Sequence, residues 1–236
     1  LVTSNRQFDQ GSSSFIDSSG NIYVTGSTGL LLFPSDYGDI FLIKFNSSGT
    51  KIWTKQLGTS KHEDAYQVTT DSTGHIYMTG YTAGDLYGNT SSGGKDIFLI
   101  KFNSSGTKIW TKQLGTSKGE EGLRVTIDSS DNIYVTGSTS GGLDGNTNSG
   151  KSDIFLVKYN SSGTKQWTKQ LGTSSKDIGL GLTTDSTGHI YMTGWTEGWL
   201  DGNANSGGIK CYLRASCKDI FLVKYNSSGI KQWTKQ

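Results

Sequence analysis

The sequence predicts an all-β chain, a β-propeller built from four four-stranded blades. Three observations carry this. The composition favours turns and strands: 33 Gly, one Pro, 11 % aromatic and only 18 % charged residues in 236. The tetrapeptide Trp-Thr-Lys-Gln starts at Trp53, Trp110, Trp167 and Trp233, at intervals of 57, 57 and 66. Asp39, Asp96, Asp153 and Asp219 open an Asp-Ile-Phe-Leu run at the same spacing, while Tyr23, Tyr77, Tyr134 and Tyr191 follow Ile at intervals of 54, 57 and 57. Repeats of 1–56, 57–113, 114–170 and 171–236 therefore tile one expected domain, 1–236.

The second copy shows the elements in order. Residues 66–71 read as strand one, Ser72-Thr73-Gly74 as a turn and 75–82 as strand two. A Gly/Asn/Ser-rich loop, 83–95, precedes strand three at 96–103. Ser104-Ser105-Gly106 turns the chain into strand four, 108–114. Asp or Asn at the head of each turn bonds back to the backbone, and Gly supplies positive φ. That turn chemistry accounts for Asn46, Asn103, Asn160 and Asn226, which also match an N-glycosylation acceptor pattern.

Strand three is apolar on both faces, with Ile97 and Leu99 on one and Phe98, Ile100 and Phe102 on the other. Such a strand belongs inside stacked sheets. Strand one carries small residues, as the crowded inner strand of a radial array requires, and strand four carries one large residue, Trp110, as an outer strand. Radial repetition of such sheets gives a propeller whose blades bury apolar faces only against their neighbours. A closed four-bladed ring is the first expectation. Half of an eight-bladed dimeric ring and a fragment of a larger propeller are the alternatives.

The segments Trp-Thr-Lys-Gln-Leu-Gly-Thr-Ser, Asp-Ser-Thr-Gly-His-Ile-Tyr-Met-Thr-Gly and Gly-Asn-Thr-Ser-Ser-Gly-Gly-Lys-Asp-Ile-Phe-Leu together resemble the bacterial beta-propeller repeat SBBP. The resemblance covers essentially the whole chain and is weakest in the first copy, around residues 7–15. It implies a propeller of secreted or bacterial cell-surface proteins, and it implies no activity.

Net charge is +2, which argues against nucleic acid as a partner. No apolar run is long enough for a transmembrane segment. Cys211 and Cys217 lie six apart and are able to close a small disulfide ring in an oxidising compartment. His62, His75 and His189 form no catalytic motif, and His75 and His189 share a turn position with Asn21 and Asn132. No nucleophile elbow or phosphate-binding loop stands out, so the chain is expected not to be an enzyme.

Two acidic patterns are candidates. Asp9, Glu63, Glu120 and Asp177 occupy equivalent positions at the entry to strand one, where they are expected to ring a channel mouth. A cation relieves the repulsion of such a ring, while the same side chains in water or on turn amides need none. Asp144, Asn146, Asn148 and Asp153 alternate like a Ca²⁺ loop, though the Gly is one place late for an EF-hand and no bidentate Glu follows.

The repeats differ most between strands two and three, where propeller loops carry binding. The fourth copy has Trp195, Trp199, Asp201, Asn203 and, in a nine-residue expansion, Tyr212, a set that suits an aromatic platform for a glycan or protein ligand. Trp195 also fits as a packing residue in the place of Tyr81. The first copy has Leu30, Leu31, Leu32 and Phe33 there, an apolar run expected at a homo-oligomer contact. The expected function is a non-enzymatic binding or adhesion module. A purely structural scaffold and a propeller lyase or glycosidase working through mouth carboxylates are the alternatives.

Overall fold

The computed structural model describes residues 7–30, 38–203 and 217–236. It contains four four-stranded antiparallel sheets, each a meander in chain order, one sheet per repeat. This is the blade architecture of a β-propeller. The first sheet holds β1 (Gln7–Ile16), β2 (Ile22–Leu30), β3 (Ile40–Phe45) and β4 (Lys51–Leu57). The second holds β5 (Glu63–Thr70), β6 (Ile76–Thr82), β7 (Asp96–Phe102) and β8 (Lys108–Leu114). β9 (Glu120–Ile127), β10 (Ile133–Thr139), β11 (Asp153–Tyr159) and β12 (Lys165–Leu171) form the third. β13 (Asp177–Thr184), β14 (Ile190–Thr196), β15 (Asp219–Tyr225) and β16 (Lys231–Lys235) form the fourth. The first strand of the second repeat begins at Glu63, earlier than the 66 its side chains predict, because Glu63 pairs with Thr82 across the sheet.

A bulge in each strand one explains a repeated sequence feature. Register slips between Ala65 and Gln67 and between Gly179 and Gly181, pushing the strand toward its partner. The glycine opposite the slip has no room for a side chain. A Cβ on Gly80 would stand 1.9 Å from the Asp64 carbonyl oxygen, and one on Gly194 1.9 Å from that of Ile178. The invariant Gly of strand two is thus a packing requirement.

The hairpin turns between strands one and two are closed by one carboxylate each. Asp71 accepts from the Thr73 and His75 backbone amides at 3.0 and 2.9 Å and from the Tyr77 hydroxyl at 2.9 Å. Asp17, Asp128 and Asp185 hold Tyr23, Tyr134 and Tyr191 in the same way. Each of these tyrosines meets the tryptophan of its own strand four at 6.1–6.4 Å between ring centroids. A lysine ammonium from strand three lies 5.1–5.3 Å from each tyrosine ring. His75 and His189 are turn residues here, with Nδ1 3.0 and 3.2 Å from Asp71 and Asp185.

The chain divides into two compact units, residues 1–117 and 118–236, each with two sheets. In the first unit Tyr23, Ile40 and Leu42 share one buried cluster with Ala65, Val68 and Met78 of the following repeat. In the second, Ile154 and Leu156 share one with Ile190, Met192 and Val223. The Thr25 and Thr136 hydroxyls donate to Phe41 and Phe155 carbonyls and lie 2.9 and 2.8 Å from Met78 and Met192 sulfur. Within each unit the second repeat therefore covers the strand-three face of the first.

Candidate functional site

The loop between strands two and three is built on a buried leucine. Leu86, Leu143 and Leu200 are fully buried and open single 3₁₀ turns, Leu86–Gly88, Leu143–Gly145 and Leu200–Gly202. The glutamine of Trp-Thr-Lys-Gln fixes each turn. Gln113, Gln170 and Gln236 accept from the Leu86, Leu143 and Leu200 amides at 3.1, 3.0 and 2.8 Å. Their Nε2 groups donate to the Gly84, Gly141 and Gly198 carbonyls at 2.9–3.0 Å. These turns lie inside a segment whose composition reads as plain loop. Their signal in the sequence is the even spacing of Leu86, Leu143 and Leu200, one in each of the second, third and fourth repeats.

The residue before each buried leucine is Asp85, Gly142 or Trp199. Trp199 therefore projects from a rigid turn, and it is 68 % exposed. In the second repeat the equivalent place borders an open cleft of about 370 Å³ lined by Thr59, Ser60, Lys61, Gly84, Asp85 and Ser91. Trp195 sits elsewhere, in β14 opposite Ile220, with the Lys218 ammonium 3.7 Å from its ring centroid. Tyr81 has the same arrangement with Lys95 at 3.9 Å. Asp201, at φ +52, accepts from the Lys231 ammonium and the Thr234 hydroxyl. Asn203 donates from Nδ2 to the Leu200 carbonyl at 2.8 Å. Of the expected platform, Trp199 is the large apolar group turned to solvent, whereas Asp201 and Asn203 brace the turn. Tyr212 and Cys211 lie outside the described residues, and Cys217 is disulfide-bonded.

The expected mouth carboxylates are placed differently. Asp9 is exposed on β1, but Glu63, Glu120 and Asp177 are fully buried. Glu63 accepts from the Thr59 amide and hydroxyl, both at 2.7 Å, and from the Thr82 hydroxyl at 2.8 Å. Glu120 accepts from the Thr139 hydroxyl at 2.9 Å. Asp177 accepts from the Thr173 amide at 2.6 Å, the Thr173 hydroxyl at 3.0 Å and the Thr196 hydroxyl. These three are sealed fasteners of strand one to the preceding Leu-Gly-Thr turn or to strand two, not a solvent-lining ring. The glycine of that turn faces a second carboxylate: a Cβ on Gly58 would lie 2.0 Å from Asp39 Oδ1, and one on Gly172 2.2 Å from Asp153 Oδ1. Burial raises the Asp177 pKa, bonds from Thr196 and Thr173 oppose this, and the negative Asp153 adds to the rise.

The expected calcium loop does not converge. Asp144, at φ +53, accepts from Lys165 and Thr168, and Asn146 donates to the Leu143 carbonyl at 2.7 Å. Asn148 accepts from the Gly150 amide at 2.8 Å, and Asp153 Oδ2 accepts from the Ser149 amide at 2.8 Å and Gln170 at 2.9 Å. The four side chains bond to separate partners. Among the described residues no group of three His, Cys, Asp or Glu is placed to hold a metal ion. Leu31, Leu32 and Phe33 lie outside the described residues, and of Leu30 only the backbone, at the end of β2, is described. No helix among the described residues is long and apolar enough to cross a membrane.

Residues 52–88, 109–144 and 166–198 match the family SBBP, the beta-propeller repeat. The chain is 26 % identical over 223 residues to the Uncharacterized WD repeat-containing protein L264 of Acanthamoeba polyphaga mimivirus, a match covering 77 % of this chain and 16 % of that protein. It is 29 % identical over 146 residues to the Regulatory protein FlaEY of Caulobacter vibrioides, covering 57 % of this chain and 15 % of that protein. The chain thus spans about a sixth of the length of these relatives. A solved structure of Luciferin-regenerating enzyme overlaps 98 % of this chain and 78 % of its own at 10 % identity and a TM-score of 0.44.

Proposed function

We propose that this chain, an array of SBBP beta-propeller repeats, is a non-enzymatic protein-interaction module that binds its partner through the strand-two-to-three loop of the fourth repeat. One observation carries the reading. Trp199 is 68 % exposed on a turn held by a buried leucine and a glutamine clamp, while the same place in the second and third repeats is Asp85 and Gly142. A large apolar group held rigidly in water is the kind of residue that dominates protein interfaces. The repeated polar groups, by contrast, are engaged in holding turns and strands. The names of the two relatives, a WD repeat-containing protein and a regulatory protein, accord with an interaction role.

The test is Trp199→Ala against the unchanged chain, on an arrayed peptide library and on a glycan array. The proposal expects peptide or protein binding that weakens at least tenfold in the variant, with a thermal midpoint unchanged within about 2 °C because the side chain is mostly exposed. Binding confined to glycans would replace a protein partner with a sugar. Binding to neither, or binding indifferent to the substitution, would overturn the assignment of this loop.

A further inference from the structure

The second repeat departs from the third and fourth at the 3₁₀ turn after strand two. In those two repeats the middle residue of the turn is an aspartate at positive φ, Asp144 at +53 and Asp201 at +52. Each accepts from a lysine and a threonine of its own strand four: Lys165 and Thr168 in β12, Lys231 and Thr234 in β16. The second repeat keeps both donors, Lys108 and Thr111 of β8, each 57 residues before its counterpart in β12. Its turn residue is Tyr87, which has no carboxylate to offer them.

The exchange has costs within the repeat itself. Tyr87 holds φ +53, a conformation that aspartate tolerates and that a bulky side chain rarely adopts. The Thr111 hydroxyl is buried with no hydrogen-bond partner. The Lys108 ammonium lies 3.5 Å from the Tyr87 ring centroid instead of on a carboxylate, and burial lowers its pKa from the ordinary 10.5. Strain and an orphaned donor, at a place where the other repeats avoid both, point to a use that outweighs local stability.

What the exchange gains is surface. Tyr87 is 43 % exposed, and Ile109, beside Lys108 in β8, is 48 % exposed. The places of Ile109 in the third and fourth repeats hold Gln166 and Gln232. The first repeat has Ile52 there, but its loop counterpart of Tyr87 lies outside the described residues. The exposure belongs to the rim of a blade and not to a missing neighbour. Asp144, Lys165 and Gln166 are exposed as well, although the fourth repeat packs beside the third in the same unit. The second repeat thus presents an aromatic ring, an ammonium and an aliphatic side chain where the third and fourth close an ion pair of their own.

We propose that Tyr87, Lys108 and Ile109 form a further peptide-binding surface, which takes a segment of a partner protein carrying an Asp or Glu beside an apolar residue. The partner's carboxylate supplies Lys108 with what Asp144 and Asp201 supply to Lys165 and Lys231, and the apolar residue covers Tyr87 and Ile109. This rests on the reading of the chain as a protein-interaction module, and it does not involve Trp199.

The test is a peptide array in which every acidic peptide is paired with its Asn or Gln counterpart, read with the parent chain, Tyr87→Asp and Lys108→Gln. The parent should bind peptides with an acidic residue next to an apolar one, and bind the amide counterparts roughly tenfold more weakly. Tyr87→Asp rebuilds the carboxylate of the other repeats. It should therefore weaken binding roughly tenfold or more and yet raise the thermal midpoint by roughly 2–4 °C. Lys108→Gln, at an exposed side chain, should weaken binding to a similar degree. A midpoint lowered by Tyr87→Asp would show the ring to be a packing residue and overturn the proposal. So would acidic-peptide binding that ignores Tyr87→Asp; if Trp199→Ala removed that binding, the interaction reading would stand without this surface. No peptide binding by the parent chain would overturn both.

Discussion

Replacing Gly80 by alanine adds one methyl group at the strand-one bulge. Its Cβ would stand 1.9 Å from the Asp64 carbonyl oxygen and 2.9 Å from the Ala65 and Asp64 backbone atoms. Ordinary contact begins near 3.4 Å, so the two strands must part at a point where they are paired in register. The obstacle is backbone, which cannot swing aside as a side-chain tip would. Overpacking of this kind costs about 1–3 kcal/mol, and a backbone clash places Gly80→Ala near the top, about 3 kcal/mol. Loss of glycine's freedom in the unfolded chain returns about 0.4–1 kcal/mol, which does not reverse the sign. For a chain of this size the net cost lowers the thermal midpoint by roughly 5–10 °C. Calorimetry and urea titration would read it, with Gly119→Ala as the control, since no atom lies within 4 Å of a Cβ there. The control meets no neighbour and keeps the unfolded-state gain, so it should match the parent chain or exceed it by up to about 1 kcal/mol. If Gly80→Ala did the same, the bulge would not be what requires glycine.

Two carboxylates should give pH responses of opposite sign. At Asp71, burial acts to raise the pKa, but hydrogen bonds from Thr73, His75 and Tyr77 and the charge on His75 outweigh it and leave the value below the ordinary 3.8. Its stabilisation is present above that value and is lost as pH falls through the lower folded value. Urea midpoints measured downward from pH 5 should therefore decline less steeply for Asp71→Asn than for the parent. Asp177 is shifted upward from 3.8, so its contribution is present below that value and lost as pH rises through the higher folded one. Midpoints measured upward from pH 4 should show a decline that Asp177→Asn removes. A response parallel to the parent chain would contradict the hydrogen bonds assigned to Asp71 in the one case and the burial assigned to Asp177 in the other.

Much of the fold is legible in the sequence because every blade is the same solution to the same problem. Alternation, turn residues and spacing locate the strands to within a few positions. The candidate site is less legible. Trp199 stands out because it breaks the repeat, and the structure keeps it in solvent. Asp201 and Asn203 lie beside it and repeat Asp144 and Asn146, yet Asp201 is held by Lys231 and Thr234 of β16 and Asn203 caps its own turn. Polar side chains in a loop have the same composition whether they face a ligand or satisfy a backbone amide, and composition does not encode which. Glu63, Glu120 and Asp177 show this most clearly. Their periodicity puts them at equivalent points, but threonine partners close enough to bury Glu63 and Asp177 arise only when the preceding turn is folded over strand one.

Residue order alone is enough for the repeat, the strand succession and the chemistry of each hairpin, because these depend on groups near one another along the chain. Packing between sheets sets which matching positions share an environment. Ile40 and Ile154 are one residue in the pattern, and both are covered by the sheet that follows within their unit and not by the strand itself. Burial is a property of neighbours, and the neighbours of a blade are set by packing across distances that a local pattern does not reach.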